Sequence, residues 1–388
     1  MINLENKENC YGCGMCEVVC PQKNIKIIRS EEGFYVPKIL DKNKCVNCGL
    51  CEKICPYQNK ENVLKSRHLE TYAIFSKDDK VLKTSSSGGV AHEISKLFFN
   101  DGYKVCGVKY NYEFNRAEHF IAEKESDLEL MKGSKYIQSY TVGAFKKFDS
   151  KNKWLVFGTP CQIDAIRRWI KLKNIEDNYI LVDIFCHGVP SYLLWEKYLE
   201  YQSKKHNIEN FSNINFRDKK FGWHAITISL SNGLKKVNNR SRRFDLFYGF
   251  FLSDVCLNSC CYENCKFKNA KSSADIRLGD LWGEKYQNNN KGVSGVITYN
   301  NKGEQIIKEL RNSCNINTEQ IDVITACQIK NTLKTPSIRK KVIKNLAKKN
   351  SSIQVIFTCA ILSKMIFVII PQTILRKLLN LIKMNRGI

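Results

Sequence analysis

The opening residues, MINLENKENC, lack the basic patch followed by an apolar run that an export signal requires. That absence argues against a secreted chain whose eighteen cysteines form disulfides, and for a reducing cytoplasm in which thiols serve as metal ligands. Acidic residues are missing from the C-terminal stretch. From Lys334 to Ile388 there are twelve Lys and Arg and no Asp or Glu, which is half of the net charge of +24. Aromatics are scarce there too, with Phe357 and Phe367 set among aliphatics, which speaks against nucleic acid as a partner. A long uninterrupted apolar run is also absent. A spanning helix needs about 20 mainly apolar residues. Residues 353–370, IQVIFTCAILSKMIFVII, are broken by Gln354, Thr358, Ser363 and Lys364, and a central lysine costs roughly 3 kcal/mol on insertion. After Pro371 an amphipathic pattern, TILRKLLNLIKM, resumes. The tail, residues 334–388, therefore reads in one of two ways. It lies on an anionic membrane face, each cation near the surface contributing about 1 kcal/mol, or it caps the protein or a partner subunit as a helical segment. Localisation follows as cytoplasmic, with a peripheral position at the inner membrane face if the first holds.

The length of 388 residues excludes a single small domain. What fills the N-terminal part is an internal repeat. Residues 10–21 read CYGCGMCEVVCP and residues 45–56 read CVNCGLCEKICP, so each cysteine recurs at an offset of 35. In C-x2-C-x2-C-x3-C-P, three closely spaced thiolates wrap one 4Fe-4S cluster and the fourth points across to another. One cluster is thus expected on Cys10, Cys13, Cys16 and Cys55, and a second on Cys45, Cys48, Cys51 and Cys20. Pro21 and Pro56 turn the chain after each fourth ligand, and Gly14 and Gly49 let the backbone come close to the inorganic core. Paired CxxC motifs also build four-thiolate zinc sites, but zinc knuckles rarely carry four clustered cysteines twice at this spacing. Between the repeats, IKII and FYVPKI flank EEG and predict a β-hairpin. A ferredoxin-type domain over residues 1–62 results.

After a polar linker, TYAIFS predicts a strand, TSSSGG a turn and VAHEISKLFFNDG a helix. Ser85, Ser86, Ser87, Gly88 and Gly89 are accordingly expected at a strand-to-helix turn, where free N–H groups and hydroxyls suit a phosphate or a flavin edge, or where a serine simply caps a helix. Two strand-loop-helix units follow, WLVFGTPCQIDAIRRWI and YILVDIFCHGVPSYLLWEKYL, each with a cysteine just past its strand: Cys161 and Cys186. Alternating strands and helices imply an α/β body with a parallel sheet and a ligand crevice at the carboxyl ends of its strands. If those two strands are neighbours, Cys161 and Cys186 converge. His187 is open to a ligand or acid–base role, or to a backbone hydrogen bond in a tight turn. The third cysteine group, Cys256, Cys260, Cys261 and Cys265, precedes SADIRLGDLWGE and could complete a further metal site with Cys161 and Cys186.

Taken in order, the double CxxCxxCxxxCP, EEGFYVP, SSSGG, KGSKYIQS, GTPCQ, CHGVPS and the cysteine pair before GDLWG resemble the coenzyme F-420 hydrogenase/dehydrogenase beta-subunit family from Cys10 to about Gly283. The resemblance implies a ferredoxin-like module followed by an α/β flavin-binding body with a mixed sheet. That body spans residues 68–150 and 151–330 as the two parts of one flavin domain. It implies FAD at Ser85 to Gly89 and at Gly133, Ser134, Lys135, Tyr136, Gln138 and Ser139, and a third 4Fe-4S cluster on Cys161, Cys186 and a CxxC-like pair. Here the chain departs from the usual spacing: three residues separate Cys261 from Cys265, and Cys260 competes with Cys261. Cys261 and Cys265 are the expected pair. The implied function is an oxidoreductase passing electrons between 4Fe-4S clusters and FAD, with an external partner such as a ferredoxin, a partner subunit or an F-420-like coenzyme. Its two-electron substrate is an F-420-like coenzyme or an unsaturated or sugar-linked metabolite. The alternatives are a subunit that only relays electrons to a partner enzyme, and a membrane-surface accessory of polysaccharide synthesis.

Overall fold

The computed structural model describes residues 10–59, 68–240, 245–268, 270–328 and 331–369, the last seven of these by backbone alone. The amphipathic segment after Pro371 lies outside the described residues. Thirteen strands among these residues are numbered in chain order. The first two are β1 (Ile25–Arg29) and β2 (Tyr35–Ile39). The body supplies β3 (Thr71–Ser76), β4 (Lys104–Asn111), β5 (Arg116–Ile121), β6 (Trp154–Phe157), β7 (Tyr179–Ile184), β8 (Asn213–Asp218), β9 (Thr227–Ser231), β10 (Lys236–Arg240), β11 (Ile276–Asp280), β12 (Ser294–Thr298) and β13 (Cys314–Thr318).

β1 and β2 form the expected antiparallel hairpin, in register from Ile25 opposite Ile39 to Arg29 opposite Tyr35. The body is built on one eight-stranded mixed sheet, ordered β13-β3-β12-β11-β7-β6-β4-β5. Its centre, β4-β6-β7-β11, is parallel, and β5, β12 and β13 enter antiparallel. The apolar runs at the centre, such as Trp154 to Val156 and Tyr179 to Val182, are buried because helices cover both faces. One layer is the amphipathic helix Val90–Asn100, seating Val90, Ile94 and Phe98 against Ile74, Val105 and Leu155. Opposite lie the helices Pro160–Lys173 and Tyr192–His206, whose Ile163, Ile166 and Trp195 join the larger core. Strands from residues 68–150 and from 151–330 interleave in this sheet.

Two features differ from the sequence expectation. Ser85–Gly89 does not follow β3 directly, because a short helix, Asp79–Thr84, intervenes. Asp78 caps it by accepting from the amide of Lys80 at 2.7 Å, so the polar KDDK stretch nucleates a turn of helix instead of a loop. Residues 213–240 form a separate antiparallel sheet, β10-β9-β8, which the sequence reading did not anticipate.

In the tail, helix Ile353–Ile369 packs its first turns on the body. Ile353, Ile356 and Ala360 are buried, and the Phe357 ring lies 5.1 Å from that of Phe250. No helix among the described residues is long and apolar enough to cross a membrane.

Candidate functional site

The two halves of the cysteine repeat fold alike. Each places its glycine, Gly14 or Gly49, in the left-handed region (φ 82° and 72°) just before a short helix, where an L side chain would be strained. Cys10, Cys13, Cys16 and Cys55 lie within mutual electrostatic reach, and burial raises all four thiols, Cys10 to about 12. Cys20, Cys45, Cys48 and Cys51 line one small cavity together with Ile25, Ile39 and Leu50. Cys16 also reaches Cys51, so the two groups adjoin.

The module is clasped by the body. Gln138, buried, accepts from the amide of Tyr35 at 2.8 Å and donates to the carbonyl of Tyr11 at 3.2 Å. Thr141 donates to the carbonyl of Cys13 at 3.0 Å, and Asn258 to that of Cys10 at 3.2 Å. The buried Glu17 carboxylate takes Lys146 at 2.7 Å while accepting from the amide of Ile27. At the hairpin turn, Ser191 donates to the carbonyl of Glu32 and Arg339 pairs with its carboxylate at 2.7 Å. Gln138 and Ser139, implicated above in flavin contact, both have protein partners: Ser139 accepts from Gln162 at 3.0 Å.

β6 and β7 pair in parallel, with Trp154 opposite Tyr179, so the loops at their carboxyl ends are adjacent. Thr159 and Pro160 start the helix that carries Cys161, the Thr159 amide donating to Gln162 at 2.9 Å. Cys161 and Cys186 then meet Cys261 and Cys265. Burial holds Cys161 well above the ordinary thiol range, with Cys186, Cys13 and Cys261 adding to the rise. Burial raises Cys186 as well, Cys265 reinforcing the shift and Lys268 opposing it. Cys261 is pushed up to about 12 by burial and by Cys186 and Cys265. Cys260, also raised by burial, is influenced by Cys10 ahead of Cys261 and Cys265, so it turns toward the module. Thiols so raised hold their protons unless a cationic core turns them into thiolates. Among the described residues no group of three or more His, Cys, Asp or Glu side chains closes on a single ion. A 4Fe-4S core, binding its thiolates at separate corners, gathers them more loosely.

Facing this group from within the module is Tyr11, buried against Phe267 and Tyr57 with ring centroids 5.7 and 6.0 Å away. Its hydroxyl donates to the carbonyl of Asn264 at 2.8 Å. Beneath the Cys186 loop, Arg277 and Asp183, both wholly buried, form a bidentate pair at 2.7 Å. Lys268 donates to the carbonyls of Cys186 and His187 at 3.1 and 2.8 Å. His187 pairs with Asp254 at 2.7 Å.

A second centre lies where the serine turn meets residues 132–136. The Ser134 amide donates to Ser86 Oγ at 2.8 Å, and Lys132 donates to Thr84 Oγ1 at 3.1 Å. Ser87 donates to the carbonyl of Val293, and Gly88 to Ser294 Oγ, which ties the turn to β12. A Cβ at Gly88 would sit 2.4 Å from the Ile74 carbonyl, which explains the glycine there. Lys135 donates to the carbonyls of Leu130, Met131 and Lys132. Lys219 donates to those of Leu82 and Ser87, each at 2.7 Å, and to that of Lys291. Burial pushes both ammonium groups down, to about 7 and about 8. Alongside, Arg217 joins Asp280 at 2.9 Å and Tyr136 at 3.2 Å, lies over the Trp282 ring, and is held ionised by these neighbours. Trp223 stacks on Trp282 (5.2 Å, 17°) and donates to Asp280 at 3.1 Å. The sequence reading missed Arg217, Lys219 and Trp223. The local signal was NFRDKKFGW, cations packed between aromatics, but Asp280, the partner of Arg217 and Trp223, lies some 60 residues on.

The fold and its cysteine groups define a class: a dicluster iron–sulfur protein in which a ferredoxin-type module is locked onto an α/β body. Residues 9–59 match the family described as 4Fe-4S dicluster domain. Residues 151–324 match the family described as the C-terminal part of the coenzyme F420 hydrogenase/dehydrogenase beta subunit. The chain is thus similar to that beta-subunit family over this region, with the dicluster domain ahead of it. It is similar to a subunit of the F(420)H(2) dehydrogenase of Methanosarcina mazei, 27% identical over 180 residues, covering 45% of this chain and 51% of that one. It thus spans about half the length of that relative. It is also similar to a chain of the F420-reducing [NiFe] hydrogenase complex of Methanosarcina barkeri, with a TM-score of 0.44 and 16% identity, over 74% of this chain and 90% of the other.

Proposed function

We propose that this protein is an electron-transfer subunit of an oxidoreductase, with two 4Fe-4S clusters in the module, a third on Cys161, Cys186, Cys261 and Cys265, and FAD beside the serine turn. When bound, each cluster carries one electron and a flavin carries one or two, which suits the chain to linking a one-electron carrier with a two-electron reaction. The observation that carries the reading is the convergence of four half-buried thiols from three separate segments against the module, with Cys161 in reach of Cys13.

This chain's own residues supply the setting. Gln138, Thr141 and Asn258 hold the first ligand loop against the body, and Tyr11 with Phe267 keeps water from the space between the two thiol groups. Lys268 and Arg277 place buried positive charge beside Cys186. For FAD, the support is the donor set: Lys135 and Lys219 donate to uncharged oxygens, and both are desolvated. A pyrophosphate among them and Ser86 would restore their full charge. Trp282 and Tyr136 offer ring faces nearby.

The name of the Methanosarcina mazei relative, a subunit of an F(420)H(2) dehydrogenase, supports a partner subunit and an F420-like electron partner. The tail's twelve cations support an anionic surface as its contact, and the docking of Phe357 on Phe250 favours a cap on the protein. An anaerobic count of iron, sulfide and flavin tests the reading. About twelve iron atoms and one FAD per chain are expected, whereas about eight would confine the clusters to the module.

A further inference from the structure

Behind the small sheet β8-β9-β10, away from the cysteines, is a cavity of about 240 Å³ between helix Tyr192–His206 and β10. Three of its lining residues carry a buried polar atom without a hydrogen-bond partner among the described residues: Gln202 Oε1, Asn238 Oδ1 and Arg240 Nε. Gln202 is only 2% exposed. A single unpaired group of this kind is a defect that folding tolerates, but three around one cavity ask for a common partner. Two are acceptors and one is a donor, so the partner must both donate and accept.

The rest of the lining narrows the chemistry. Phe221, 41% exposed, is an aromatic plate with the Arg240 guanidinium 3.8 Å from its centroid. The one acid in the lining, Asp245, is already engaged, taking the Tyr198 hydroxyl at 2.7 Å and the Tyr248 amide at 3.0 Å. Among the described residues neither Arg240 nor Lys205 pairs with a carboxylate, which leaves the cavity with a surplus of positive charge. Carboxamide acceptors seek hydroxyl donors, a guanidinium seeks an anionic oxygen, and an aromatic plate accepts the C–H face of a sugar.

We propose that this cavity binds a small polyhydroxylated anion, a hexose phosphate or a sugar acid. A rotation of Gln202 and Asn238 about their side-chain bonds turns their carbonyls to the ligand's hydroxyls, and Arg240 takes its anionic group. The loop through Phe221 and Trp223 runs from this cavity to the Trp282 stack. The inference stands on cavity residues alone and is independent of the cofactor reading above.

The test is isothermal titration calorimetry of the full chain, prepared anaerobically, with glucose 1-phosphate, glucuronate, glucose and inorganic phosphate in turn. At least one of the two sugar anions should bind at least about tenfold more tightly than glucose or phosphate, and Gln202→Leu and Asn238→Leu should each weaken it by about tenfold. Thermal unfolding separates binding from folding: replacing an unpaired acceptor with leucine should leave the midpoint unchanged or raised. Arg240→Gln on the edge strand is the second variant, and it should weaken the anions while leaving glucose unaffected. The proposal is overturned if none of the four gives heat, if phosphate alone binds as well as the sugar anions, or if the variants bind like the parent.

Discussion

Gly14 and Gly49 occupy equivalent places in the cysteine repeat and share a left-handed backbone, yet their surroundings differ. A Cβ on Gly14 would stand 2.1 Å from Thr141 Oγ1, whereas one on Gly49 meets nothing within 4 Å. Alanine at either site carries the left-handed penalty, roughly 1–2 kcal/mol. At Gly14 it must also displace Thr141, which is buried and donates to the Cys13 carbonyl at 3.0 Å. Leaving that carbonyl unpaired costs about 1–3 kcal/mol more. Gly14→Ala should therefore lose about 2–5 kcal/mol and Gly49→Ala about 1–2 kcal/mol. Urea unfolding of the anaerobic protein, read as a change in midpoint at constant slope, measures both. In a Thr141→Ala background the Gly14→Ala loss should shrink to that of Gly49→Ala, because the clash and the hydrogen bond have gone together. Equal losses in the native background would refute the claim that the body clasps the first ligand loop.

Arg277→Met should destabilise by about 3–5 kcal/mol by stranding Asp183, and adding Asp183→Leu should recover most of it, which thermal unfolding can follow. Burial pushes His119 down to about 4, its Nε2 bonded to the Phe157 carbonyl at 3.0 Å. Below pH 6.5 the unfolded chain binds a proton there that the folded chain refuses, so stability should fall by about 2 kcal/mol between pH 6.5 and 5. His119→Gln should remove that part of the slope, and an identical pH profile in the variant would count against it. Cys186→Ser should bring the iron content from about twelve to about eight per chain, whereas Cys260→Ser should leave it near twelve.

Much of this architecture was legible because its signals are local. The cysteine spacing, the β1–β2 hairpin around EEG, and the strand-loop-helix units bearing Cys161 and Cys186 each declare themselves within about twenty residues of sequence. The meeting of Cys161 with Cys186 needed one further condition, adjacency of β6 and β7, which the sheet meets. The helix Asp79–Thr84 went unseen because its nucleus is polar and its apolar content is only Val81 and Leu82. The clasping role of Gln138 and Thr141 hid for another reason: their partners are backbone groups more than a hundred residues away, and backbone groups leave no mark in a sequence. The Arg217–Asp280 contact and the Trp223–Trp282 stack likewise exist only once β8 and β11 are brought together.

The central proposal is a third cluster in the body, on Cys161, Cys186, Cys261 and Cys265. The most direct measurement is spin integration of the electron paramagnetic resonance spectrum of the fully reduced, anaerobically purified chain, each reduced 4Fe-4S cluster contributing one unpaired-electron system. The account predicts about three spins per chain, falling to about two in Cys186→Ser. About two spins in the native protein, unchanged by that substitution, would contradict it.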